Sequence, residues 1–152
     1  MQTFVRLKVG GGPPDQPLYE QVLAVDLGDG TVKIDASPGL VMGVAAGDVI
    51  RLTDDNQFEI VSRGGNVCLQ IFHRSRIDEV AKSALQKIEG IGGWLDGQAP
   101  KLLVYTIPVS AGFAEIEAIV SQLQLSFPGL EWLYGNVYDL IDEVTPLNWW
   151  VK

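Results

Sequence analysis

The hydrophobic period of this chain changes partway along it, and the order of the change is the strongest constraint on its fold. Up to residue 65, short apolar runs alternate with polar residues at the two-residue period of half-buried strands. Beyond that point the period reads strand, helix, strand, strand, helix, strand. The first half predicts a small antiparallel β-rich module, a partial barrel of about five strands, and the second predicts a ferredoxin-like β-α-β-β-α-β domain, an α+β protein in all.

In the first half, Val5, Leu7 and Val9 share one face of a strand, with Arg6 and Lys8 on the other. Glycine and proline at Gly10-Gly11-Gly12-Pro13-Pro14 stop it. Tyr19 to Leu27 and Thr31 to Asp35 flank Gly28-Asp29-Gly30, a short hairpin connection. Val32 and Ile34 are expected to face inward, with Thr31 and Lys33 outward. Leu40 to Ala46, read as one helical turn or an irregular crossing, leads to strands at Val49 to Thr53 and Phe58 to Val61, separated by the turn Asp54-Asp55-Asn56. The glycines of Arg63-Gly64-Gly65-Asn66 are costly in any regular element, so the domain boundary is placed there, giving residues 1–65 and 66–152.

In the second half, Val67 to Phe72 is a strand, Ser75 is a helix cap, and Ile77, Val80, Ala81, Ala84, Leu85 and Ile88 form a helical stripe. Gly92 to Asp96 and Lys101 to Val109 follow as strands joined by Gly97-Gln98-Ala99-Pro100. A second helix carries Phe113, Ile116, Val120, Leu123 and Phe127, and Leu130 to Tyr138 supplies the last strand. The apolar tail ending in Trp149-Trp150-Val151 needs a surface to cover, either the free sheet face or the seam between the halves.

At Leu27-Gly28-Asp29-Gly30, Ile34-Asp35, Pro38 and Gly43-Val44-Ala45-Ala46-Gly47-Asp48-Val49-Ile50 the chain resembles a bacterial family known only as a domain of unknown function. In that family a similar module with an LGDG turn, a proline and a GV-x-x-GD-V segment precedes an α+β part. The likeness covers about residues 20–75, implies a bacterial protein and carries no activity. Members often have Ser-Gly-His after the strand matching Phe58 to Val61. Here Ser62-Arg63-Gly64-Gly65-Asn66 stands instead, and that histidine is missing.

Composition narrows the function classes. Of 152 residues, 47% are hydrophobic and 20% charged, enough apolar side chain for a packed core. No apolar run approaches the roughly 20 residues of a membrane helix, and Met1-Gln2-Thr3-Phe4 lacks the layout of a signal peptide, so a cytoplasmic protein without membrane association is expected. The lone Cys68 fits a reducing compartment. Nine acids against five bases in residues 1–65, and ten against six in 66–152, give −4 on each half of a −8 chain. Such even acidity repels phosphate backbones, and Leu102 to Ile107 lacks the basic-aromatic signature of an RNA-binding strand. Nucleic acid is not an expected partner.

The one basic cluster, His73-Arg74-Ser75-Arg76, lies where a strand meets a helix N-terminus and could hold a small anionic ligand. The bland alternative pairs the arginines with nearby acids. Asp26, Asp29, Asp35, Asp48, Asp54 and Asp55 fit no calcium-loop spacing and read as turn formers, so no metal and no cofactor are expected. Cys68 reads as core filling, and Gly10-Gly11-Gly12 lacks the lysine of a phosphate-binding loop. Trp94, Trp132, Tyr134, Tyr138, Trp149 and Trp150 could line a pocket or partner surface, with core and seam packing the plainer use. The composite expectation is a small bacterial cytoplasmic protein of unknown function whose role is binding or protein interaction rather than catalysis, its partner another protein or a small anionic ligand. The alternatives are a sensor or enzyme with an inter-domain cleft and an anion site at His73, Arg74 and Arg76, and an acidic immunity-type protein neutralising a basic partner.

Overall fold

Alternation builds the first sheet. A computed structural model describes residues 2–151, and in it β1 (Gln2–Val9), β2 (Leu18–Asp26), β3 (Thr31–Ile34), β4 (Val49–Leu52) and β5 (Phe58–Ser62) form an antiparallel meander in chain order. Val5, Leu7, Val22, Ala24, Ile34 and Ile50 gather on its inner face with Val41 and Val44. Thr31 is buried rather than outward, its backbone N–H bonded to Asp29 Oδ1 at 3.0 Å within the hairpin turn.

The alternation predicts a partial barrel; the strands close none. β1 and β5 are the two edges of the sheet, and no ladder joins them. The turn after β4 lies against β1 instead, with Asn56 Nδ2 donating to the Arg6 carbonyl at 2.9 Å and Lys8 paired with Asp55 at 2.6 Å. Asp55 and Asn56 reach back through left-handed φ values of 58°. A side chain therefore takes the Arg6 carbonyl, and the sheet stays open.

The second sheet is antiparallel throughout, in the order β7 (Trp94–Ala99), β8 (Leu102–Pro108), β6 (Asn66–Phe72), β9 (Glu131–Tyr134). Helices α1 (Ile77–Gly90) and α2 (Phe113–Ser126) share one core with Val67, Leu69, Ile71, Leu103, Tyr105 and Ile107, which lie on a single sheet face by the two-residue alternation. β7 runs through Gly97-Gln98 by way of a bulge between Leu95 and Gly97, and β9 ends at Tyr134, short of the predicted Tyr138. On α1, Ile77, Val80, Ala84 and Ile88 are buried, whereas Leu85 is 48% exposed. At about 100° per residue Leu85 lies about 80° from Ile77, on the margin of the stripe.

The opposite face of this sheet is also covered, by the irregular segment between β3 and β4. Ser37 and Thr106 exchange a 2.6 Å hydroxyl bond, Asp96 accepts from the Ser37 N–H at 2.9 Å and from Thr106 Oγ1, and Gln70 donates to the carbonyls of Pro38 and Gly39. Cys68, Val104 and Ala45 fill the space between. Gly64 marks a close approach: a Cβ there would sit 2.3 Å from the Gly47 carbonyl carbon. Asp48, fully buried, accepts from the N–H groups of Gly64 and Ala45 and faces Arg63 at 3.2 Å. Among the described residues no helix is long and apolar enough to cross a membrane.

Candidate binding groove

The two sheets leave a groove of about 1160 Å³ between them. Its walls come from β5, β9, the 40–43 segment and the chain after β9. Phe58 and Ile60, two residues apart, present one face of β5. Trp132, Leu133 and Tyr134 all line the groove although successive strand side chains point to opposite faces, so the groove runs along the edge of β9. That edge is the outer one, since among the described residues β9 pairs only with β6.

Fixed backbone holds both flanking loops. The Glu20 carboxylate accepts the N–H groups of Gly39, Leu40 and Val41 at 2.8 to 2.9 Å, which orders one wall from β2. Gly43 N–H donates to the Gly135 carbonyl at 2.7 Å and ties that wall to the end of β9. Beyond it, Tyr138 bridges Pro146, Asp139 Oδ1 accepts from the Ile141 N–H and Asp142 Oδ1 from the N–H groups of Val144 and Thr145. The loop so closed displays Leu140 at 57% and Ile141 at 94% exposure, far more than burial would tolerate for side chains of this size. The tail behind it is anchored: Trp149 Nε1 donates to the Asn136 carbonyl, Arg63 stacks over its ring at 5.6 Å, and Trp150 packs edge-to-face on Phe113. The tail thus covers the helix-side core and the seam.

The charges at the groove are unequal in their partners. Its two cations, Lys8 and Arg63, are engaged by Asp55 and Asp48. Its carboxylates Glu117, Asp139 and Glu143 make no ion pair among the described residues. Glu117 accepts the Tyr134 hydroxyl at 2.9 Å, and burial first, then this carboxylate, push the phenol's pKa upward.

His73, Arg74, Ser75 and Arg76 lie outside this groove. The buried His73 ring accepts the N–H of Arg76 at 3.0 Å and of Ser75 at 3.3 Å on Nδ1, which leaves Nε2 as the protonated nitrogen, 3.1 Å from the Pro128 carbonyl. The imidazole thus orders the turn that leads into α1, whereas the capping expected of Ser75 is not made: Arg76 is the N-cap residue and no side chain caps the helix among the described residues. Arg76 pairs with Glu79 at 2.6 Å and lies over Phe127, while Arg74 is exposed. Asp26 and Asp29 bond backbone N–H groups within their turn, and among the described residues no cluster of three His, Cys, Asp or Glu side chains is arranged for a metal. Trp132, Tyr134 and Tyr138 line the groove, whereas Trp94 lies on β7 outside it. The importance of Leu140, Ile141 and Glu117 was not visible in the sequence; the only signal was an apolar tail that no period explained.

A family model described as a domain of unknown function (DUF4265) matches residues 20–126. No curated protein matches the chain. Among solved structures, a hypothetical protein from Neisseria gonorrhoeae is similar in fold, with a TM-score of 0.66 at 14% identity over 88% of this chain and 94% of that one.

Proposed function

Since the chain belongs to the DUF4265 family, a domain of unknown function that brings no activity with it, we propose its role from the groove: a binding protein that engages another protein there rather than a catalyst. The observation that carries this reading is the ordered loop at Leu140 and Ile141, whose backbone is fixed while its largest apolar side chains stand in solvent beside an unpaired strand edge. Exposed apolar surface of this kind marks interaction sites. A small anionic ligand at His73, Arg74, Ser75 and Arg76 is the weaker reading, because both ring nitrogens and the Arg76 guanidinium already have partners. The four-strand order β7-β8-β6-β9, with both helices on one face, supports a ferredoxin-like unit for residues 66–152, joined to a β-rich unit of residues 1–65. The chain's even acidity supports a protein without nucleic-acid partners, and its single free, buried cysteine fits a reducing, cytoplasmic setting.

The test places a photo-crosslinking side chain at Ile141 and, as control, at Leu125, which is 85% exposed on α2. Irradiation of native cells should give a discrete protein adduct from position 141 alone. Equal adducts from both positions, or none from 141, would remove the interface reading.

A further inference from the structure

We infer that the groove's occupant is a basic, extended polypeptide segment that adds as a strand along the outer edge of β9. The inference rests on the interface reading above and deepens it. Three observations converge on this occupant. The groove follows a strand edge, because consecutive residues Trp132, Leu133 and Tyr134 all face it, and among the described residues no other strand pairs with that edge. Gly135 N–H bonds the Cys68 carbonyl, so alternation directs the backbone groups of Leu133 toward β6 and those of Trp132 and Tyr134 outward. Those outward groups can pair with an incoming strand and need no particular side-chain sequence.

The walls then set the side chains. Opposite the edge, Phe58 and Ile60 of β5 and Leu140 of the loop offer apolar contact to every second residue of such a strand. The charged groups are one-sided. Lys8 and Arg63 are neutralised within the chain, whereas Glu117, Asp139 and Glu143 make no ion pair among the described residues, so an entering segment meets three carboxylates that no described cation pairs. Lysine or arginine at the intervening positions complements them. The −8 charge of the whole molecule attracts the same partner from a distance and repels an acidic one.

The probes are three blocked hexapeptides: an alternating lysine-valine peptide, its glutamate-valine counterpart, and the lysine-valine peptide with alternate backbone nitrogens methylated. Binding is measured by calorimetry at low and at physiological salt. The basic peptide should bind the intact protein, the acidic one should not, and methylation should abolish binding by removing the strand's donors. The triple variant Glu117→Gln, Asp139→Asn, Glu143→Gln, in which an amide oxygen still accepts the Tyr134 hydroxyl and the Ile141 N–H, should weaken the basic peptide roughly tenfold while its melting curve stays that of the parent. Loss of affinity with salt should shrink in the variant. The inference is overturned if the basic peptide fails to bind, if the acidic peptide binds as well, or if the triple variant binds unchanged. Retained binding of the methylated peptide overturns strand addition. Any of these with the Ile141 adduct still formed leaves the interface in place and removes only this occupant.

Discussion

At the scale of single residues, two buried protons on the second sheet tie stability to alkaline pH. Burial, with the nearby Asp96 carboxylate second, pushes the Cys68 thiol from 9.0 up to about 12, and burial alone pushes the Tyr105 phenol from 10.0 up to about 12. Both are raised in the folded state, so the stability they contribute is complete below pH about 9 and drains away as pH rises through the folded values near 12. Urea midpoints should hold steady from pH 7 to 8.5 and then fall, with a slope of about 1.4 kcal/mol per pH unit for each group titrating in the unfolded chain. Tyr105→Phe should reduce that slope. Its hydroxyl is buried without a hydrogen-bond partner, so the substitution should also leave the midpoint at pH 7 unchanged or higher. A flat profile from pH 8 to 11 would contradict both assignments. At this scale, Cys68 as core filling was legible from its apolar neighbours. The role of His73 in fixing the turn before α1 was not, because it depends on Pro128, 55 residues away.

For the elements, helix α1 offers the sharpest contrast. Ile88 is buried against the second sheet and Leu85, three residues earlier, is 48% exposed. Ile88→Ala should cost about 2–5 kcal/mol, as for aliphatic truncation in a packed core, and Leu85→Ala less than about 1 kcal/mol. Denaturant midpoints of the two variants check it, and equal midpoints would mean that α1 is rotated from the orientation described. The helices and most strands could be read from periodicity because each buries a stripe or an alternating face. The open edge between β1 and β5 could not, since it is decided by side chains of a three-residue turn reaching across to Arg6. The irregular 36–47 segment gave no period at all, and its order comes from Glu20, Asp96 and Gln70, which belong to other elements.

At the scale of the whole molecule, the seam joins the sheets with buried polar bonds as well as apolar contact. A chain cut at Gly64-Gly65 severs the pieces that the bonds of Ser37 to Thr106 and Asp96, of Gln70 to the Pro38 and Gly39 carbonyls, and of Asn66 to the Ala46 carbonyl hold together, and leaves Cys68, Gln70 and Thr106 facing water unless the pieces reassociate. Each piece alone is near the lower limit for a stable core. Separate fragments should therefore melt well below the intact chain, with broader transitions by calorimetry; a 66–152 fragment melting as high and as sharply would show that the seam adds nothing. The groove belongs to this scale too, which is why it was illegible in the sequence: its walls lie some seventy residues apart along the chain, at β5 and β9. The same separation bears on synthesis at the ribosome. Ser37 leaves the exit tunnel 69 residues ahead of its partner Thr106, a lag of about 3–14 s at translation rates of roughly 5–20 residues per second. From the emergence of Ser62 to that of Thr106, Ala45 and the hydroxyl of Ser37 lack the β8 side of their sheet, so the nascent chain holds a completed first meander with one sticky flank. A chaperone would meet the molecule there.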